Sequence, residues 1–208
     1  MTLKRNSSAQ VIAKKFRRVW KNLIVRLDVI GDMVLTSGFI REVRANFPKA
    51  RITLISSPLT YPIVEFCPYV NEVLNFDRKI LSGELPNVLE SAVDFCRENL
   101  WSKKISIAFS PRWDFDTLPA LLTVWLSGAR ERIGYGINPF KSWLGEQSPD
   151  LEAQNNFLLT KNIVTPLNVI SEIEKHFYLL AATGLKINQT HMELFLRRGR
   201  FPICKRIA

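Results

Sequence analysis

The fold of this chain is decided at Leu23-Ile24-Val25-Arg26-Leu27-Asp28-Val29-Ile30-Gly31-Asp32. The first five residues form a short apolar run, which reads as a largely buried strand. Val29 to Asp32 reads as a turn. From Met33 to Phe47 the apolar residues Val34, Ile40, Val43 and Phe47 fall at helical spacing, and Pro48 stops the pattern. Ile52-Thr53-Leu54-Ile55 is a second strand, closed by Ser56-Ser57-Pro58. Strand, helix, strand in this order is a βαβ unit, whose two strands lie parallel.

The alternation continues outward. Strands are expected near 22–27, 51–55, 73–76 and 105–109, with a short fifth at Arg132-Ile133-Gly134-Tyr135. Helices are expected at Ile63–Phe66, over 87–100 and at Thr117–Leu126, where Pro119 falls in the first turn and is tolerated. Ser171-Glu172-Ile173-Glu174 has the form of a capping box before a last helix, with Gly184 as its stop. Residues 136–169 show little periodicity. The expected class is α/β, an open parallel sheet flanked by helices.

The charge is unevenly placed. Of 29 Lys and Arg, eight lie in residues 1–27 and five in 197–208, and neither segment holds an acid. Residues 28–196 keep 16 basic residues against all 19 acidic ones. A near-neutral body argues against a nucleic-acid-binding core, which carries its basic stripe on the fold itself. The chain therefore divides into a basic arm (1–20), a folded domain (21–196) and a basic tail (197–208). In the arm, Ile12, Phe16 and Val19 fall at helical spacing among Lys and Arg. That pattern suits a short helix on an anionic membrane surface, or a solvated arm. No run is long enough to span a membrane and no secretory signal is present, so a cytoplasmic place, peripheral on the inner face of the inner membrane, is expected. Cys67, Cys96 and Cys204 are odd in number and far apart, which suggests neither a disulfide framework nor a metal site. His176 and His191 have no matching ligands and read as ordinary surface or core side chains.

Two loops past strand ends could carry chemistry. The first holds Asp28, Gly31 and Asp32. It lacks the three glycines of a dinucleotide-binding turn, and two carboxylates stand there instead. A carboxylate at a strand end can act as general base on a substrate hydroxyl, or Asp32 can simply cap the helix that follows. The second is Ser110-Pro111-Arg112-Trp113-Asp114-Phe115-Asp116. Arg112 can hold a phosphate or carboxylate and Trp113 can stack on a sugar; alternatively Arg112 pairs with a neighbouring acid, Trp113 packs under the loop and Asp114 or Asp116 caps the next helix. Two such loops at one edge of a parallel sheet suggest a shared cleft.

Arg26-Leu27-Asp28-Val29-Ile30-Gly31-Asp32-Met33 resembles the N-terminal signature of glycosyltransferase family 9, which includes the ADP-heptose:lipopolysaccharide heptosyltransferases. Phe47-Pro48, Asn71-Glu72-Val73, Ser110–Asp114, Leu126–Tyr135 and Glu174-Lys175-His176 through Leu185 match further segments in the family's order. The resemblance implies the Rossmann-like acceptor-side half of a two-lobed GT-B enzyme, with no cofactor and no metal. It implies a lipid-linked saccharide acceptor, and a nucleotide-sugar donor only where a second, C-terminal domain is supplied. Asp32 matches the family's general base and Gly31 the glycine that leaves room for the acceptor. Asp28, Arg112, Trp113 and Asp114 become acceptor-binding candidates. The donor-side motifs are not found in this sequence, and residues 197–208 do not match the family's continuation. The rival reading is a non-catalytic domain that binds an anionic glycolipid or a partner subunit.

Overall fold

The computed structural model describes residues 20–77, 85–113, 120–137, 157–164, 168–169, 171–198 and 201–207. Six strands form one sheet: β1 (Lys21–Val25), β2 (Arg51–Ser56), β3 (Glu72–Asn75), β4 (Ile107–Ser110), β5 (Glu131–Ile137) and β6 (Lys161–Val164). Their order across the sheet is β3-β2-β1-β4-β5-β6, and every neighbouring pair is parallel. β1 is central and its four residues after Lys21 are buried, which is why it reads as a nearly unbroken apolar run. The connections are α1 (Ile30–Asn46), α2 (Tyr61–Val64), α3 (Leu85–Asn99) and α4 (Ala120–Leu126), and α5 (Glu172–Ala182) follows β6.

Alternate residues of each strand feed two cores. Ile24, Ile52, Leu54, Ile107, Phe109 and Ile133 pack with Phe39, Ile40 and Val43 of α1 and with Leu179 and Leu180 of α5. On the other face Leu23, Val25, Ile55 and Ala108 pack with Ala92 and Cys96 of α3 and Leu121 and Val124 of α4. Burial pushes the Cys96 thiol up to about 12. It therefore stays protonated and packs as a small apolar group. Gly38 lets α1 approach its neighbours: an added Cβ would lie 2.9 Å from the Phe177 ring of α5 and 3.0 Å from the His191 carbonyl.

Several expectations change. Helix α1 starts at Ile30, so Val29–Asp32 is its first turn rather than a free turn. Ser171 stands at the N-cap of α5 but makes no side-chain capping bond, so the capping box is not formed. Gly184 does end α5, at φ 85°. Its N–H bonds Ala181 and the Leu185 N–H bonds Leu180, the paired bonds of a glycine-terminated helix. β6 lies in the stretch that shows little periodicity. The segment read as a tail begins inside β7 (Met192–Arg198), which pairs antiparallel with β8 (Phe201–Ile207). Residues 1–19 of the arm and residues 114–119, with Asp114, Asp116 and Pro119, lie outside the described residues.

Candidate active site

In the order β3-β2-β1-β4-β5-β6 the winding reverses between β1 and β4. Loops leaving the carboxyl ends of those two strands diverge and open a crevice, the usual ligand position in such sheets. Asp28 follows β1 and Arg112 follows β4, so both predicted loops meet at this point.

Arg26 organises the site. Its side chain is only 2% exposed. Its Nε lies 2.8 Å from Asp28 Oδ2, and its Nη2 lies 3.3 Å from Glu172 Oε1 and 3.6 Å from Asp32 Oδ1. A buried guanidinium needs such partners, because desolvating an uncompensated charge is costly. The second oxygen of Asp28 pairs with Arg112. Asp28 is 5% exposed and faces a guanidinium on each side, so it fixes Arg112 rather than facing the crevice. Asp32 differs. It is the acid in the first turn of α1, it makes no capping bond because the N-cap is Val29, and its side chain is 33% exposed. The capping alternative is thereby removed, and Asp32 is the carboxylate of the group with most access to solvent. Next to it, a Cβ at Gly31 would meet nothing within 4 Å, so that position faces open space.

Helix α5 closes the site, its Glu172 meeting Arg26 across 146 residues of sequence. The Trp113 indole N–H donates to Glu172 Oε2. The buried Lys175 ammonium lies 3.2 Å from the centre of the Trp113 ring, a cation–π contact. Tyr135 donates its hydroxyl to the Lys175 carbonyl. His176 is fully buried against Phe39, with Nδ1 3.2 Å from the Leu35 carbonyl and Nε2 3.5 Å from Glu172 Oε1. Both neighbours are acceptors, and a neutral imidazole has one N–H to give. Burial pushes His176 below the ordinary histidine range; the nearby Arg26 charge adds to this, and Glu172 opposes it without prevailing. Burial pushes the Glu172 carboxyl up, but bonding to His176 and Trp113 and the Arg26 charge outweigh it and hold Glu172 below the usual carboxylate range.

The structure thus brings together Asp28, Gly31, Asp32, Arg112 and Trp113. It adds Arg26, Glu172, Lys175 and His176, which the sequence reading left out of the site. Among the described residues no three His, Cys, Asp or Glu side chains are arranged to hold a metal ion. Asp114 lies outside the described residues.

No protein-family model matches the chain, and no curated protein matches it in sequence. Solved structures do. A glycosyl transferase of family 9 from Veillonella parvula matches over 87% of this chain and 45% of its own, with a TM-score of 0.66 at 15% identity. The fold is that of one lobe of a family 9 glycosyltransferase. E. coli heptosyltransferase WaaC, solved with ADP, matches over 83% of this chain and 50% of its own at TM-score 0.60 and 14% identity. E. coli ADP-heptose lps heptosyltransferase II matches over 86% and 47% at TM-score 0.55 and 15% identity. The chain spans about half the length of these family 9 structures.

Proposed function

We propose that this chain is the acceptor-side half of a glycosyltransferase that moves a sugar from a nucleotide-sugar, of the ADP-heptose kind, to a lipid-linked saccharide. In this reading donor binding falls to a second lobe, as the resemblance to the family implies. Asp32 carries the reading: it is an accessible carboxylate at the switch point of the sheet, beside the open space at Gly31, while Asp28 and Glu172 are taken up by arginine, indole and imidazole groups.

In this scheme Asp32 takes the proton of an acceptor hydroxyl as its oxygen attacks the anomeric carbon. The carbon–oxygen bond to the acceptor forms, the bond to the donor diphosphate breaks, and ADP leaves with the bonding pair, inverting that carbon. Arg112 and Trp113 meet the acceptor, Arg112 through an acidic or phosphorylated sugar and Trp113 through a sugar face. Asp28 and Glu172 hold these two side chains in place.

Titration of the chain with a phosphorylated core saccharide tests the acceptor side. Arg112→Ala and Trp113→Ala should each weaken binding about tenfold, the size of one charge-assisted hydrogen bond or one buried aromatic contact. Unchanged binding in both variants would remove the acceptor assignment. When a donor half is supplied, binding without turnover would favour the rival binding-domain reading.

A further inference from the structure

The opposite edge of the sheet, where the strands begin, holds a second feature. A crevice of about 480 Å³ opens between the sheet and the carboxyl ends of α1 and α5. Its walls are apolar and include Trp20, Phe47, Phe109 and Leu185. Three exposed lysines, Lys49, Lys161 and Lys186, stand on its lining, with Glu131 the acid among them. None of these lysines makes an ion pair among the described residues. Arg44 is spent on the carbonyls of Phe47, Pro48 and Ala50, which answers the negative end of α1 and leaves the lysines for an outside anion. Lys21 and Arg51 begin the two neighbouring strands at this edge. The chain enters it at Trp20, after nineteen residues with six Lys and Arg and no acid.

An apolar crevice ringed by unpaired lysines matches a ligand with an anionic head and an apolar body. The density of cationic groups, continuous with the sequence before Trp20, matches a surface rather than a single small molecule. We propose that this edge docks on an anionic phospholipid bilayer, its lysines on lipid phosphates and part of one lipid in the crevice. This deepens the reading above by naming the face that meets the membrane bearing a lipid-linked acceptor. Five-residue strands at about 3.3 Å per residue put the two edges about 17 Å apart. Asp32 would then work on a sugar held well above the head groups, not on one at the membrane surface. No helix among the described residues is long and apolar enough to cross a membrane.

The test reads lipid binding, not sugar transfer, so either proposal can fail alone. The chain is sedimented with vesicles of phosphatidylglycerol and phosphatidylcholine, and with phosphatidylcholine alone. Binding should need the anionic lipid and fall as salt rises. The triple variant Lys49→Gln, Lys161→Gln, Lys186→Gln should lose about fivefold per lysine, about a hundredfold in all, with an unchanged circular dichroism spectrum. Lipid brominated on its acyl chains should quench tryptophan fluorescence, and Trp20→Phe should remove the most strongly quenched part. Deleting residues 1–19 should leave a remainder that the triple variant lowers further. Full-strength binding by the triple variant, or no binding after the deletion, would assign the effect to the arm and overturn the proposal. Displacement by single-stranded RNA with no quenching by brominated lipid would overturn it in favour of a nucleic acid.

Discussion

At the carboxyl edge of the sheet, the buried Arg26 and the half-buried Arg112 are held by Asp28 and Glu172. At the amino edge Lys49, Lys161 and Lys186 stand in solvent around an apolar crevice. The same sign of charge serves two ends. Guanidiniums, planar and weakly hydrated, can be buried and shared among several carboxylates, so they build a rigid site. Ammonium groups on flexible stems stay hydrated and wait for a partner from outside. The interlocked edge should therefore fail when a single member is removed, and the open edge should tolerate any change that does not touch its ligand.

The largest effect is expected at Asp32, in a transferase completed by a donor half. Asp32→Asn keeps size and removes the basic oxygen, so kcat should fall about 10²–10⁴-fold while donor affinity holds. Normal turnover would show that the accessible carboxylate of the interlocked edge is not its working part. Asp28→Asn is the companion measurement: it should act through Arg112, raising the acceptor KM more than it lowers kcat. Next comes Arg26→Met, which leaves the buried Asp28 and the half-buried Glu172 without their shared cation. It should cost about 3–5 kcal/mol in denaturant unfolding; a loss near zero would mean that the network is not interlocked at all.

A smaller effect is expected from pH. The folded state holds His176 below its unfolded value, so the folded chain binds fewer protons than the unfolded one. Stability from this group is complete above about pH 6.5 and declines as pH falls below it. Glu172, also lowered, adds a second loss below about pH 4.3, through its folded value. Denaturation midpoints measured from pH 8 down to about pH 2 should drop in this order, and His176→Phe should remove the first step. The smallest effect belongs to the open edge: Lys49→Gln, Lys161→Gln, Lys186→Gln together should leave unfolding free energy within about 0.5 kcal/mol and the pH curve unaltered. A larger loss would show that these lysines are structural.

The local parts of this picture could be read from the sequence and the distant parts could not. β1 and the body of α1 are written in hydrophobic period, and the five-strand βαβ pattern follows from repeating it. The start of α1 is hidden because Val29 and Ile30 are exposed apolar residues with no capping side chain. β6 is hidden because only Ile163 of Lys161-Asn162-Ile163-Val164 is buried, too little for a pattern. The hairpin of β7 and β8 carries the charges that made residues 197–208 read as a tail. At the site, Asp28, Asp32 and Arg112 announce themselves by standing just past strands. Glu172, Lys175 and His176 do not, since a helix brought across 146 residues to meet Arg26 leaves no mark in local spacing. The signal available was the concentration of charge on an otherwise apolar helix: Glu172, Glu174, Lys175 and His176 precede Phe177, Tyr178, Leu179 and Leu180.

Helix α1 also carries Arg41 and Glu42 in its buried middle. They pair with each other, Arg41 Nε lying 3.1 Å from Glu42 Oε1, and their remaining partners come late in the chain. Arg41 bonds the carbonyls of Gln189 and His191 and the Glu193 carboxylate, and Glu42 accepts from the backbone and side chain of Asn188. On a ribosome adding about 5–20 residues per second, these partners emerge roughly seven to thirty seconds after α1. Through that interval the Arg41–Glu42 pair, on the face of the Asp32 helix meant for the core, lacks the outer groups that complete its hydrogen bonding. Nascent chains stopped before residue 188 should therefore remain protease-sensitive and bind chaperones, and those carried past residue 193 should become resistant in one step. The order of synthesis thus leaves the segment around Asp32 among the last to settle, although it is among the first to be made.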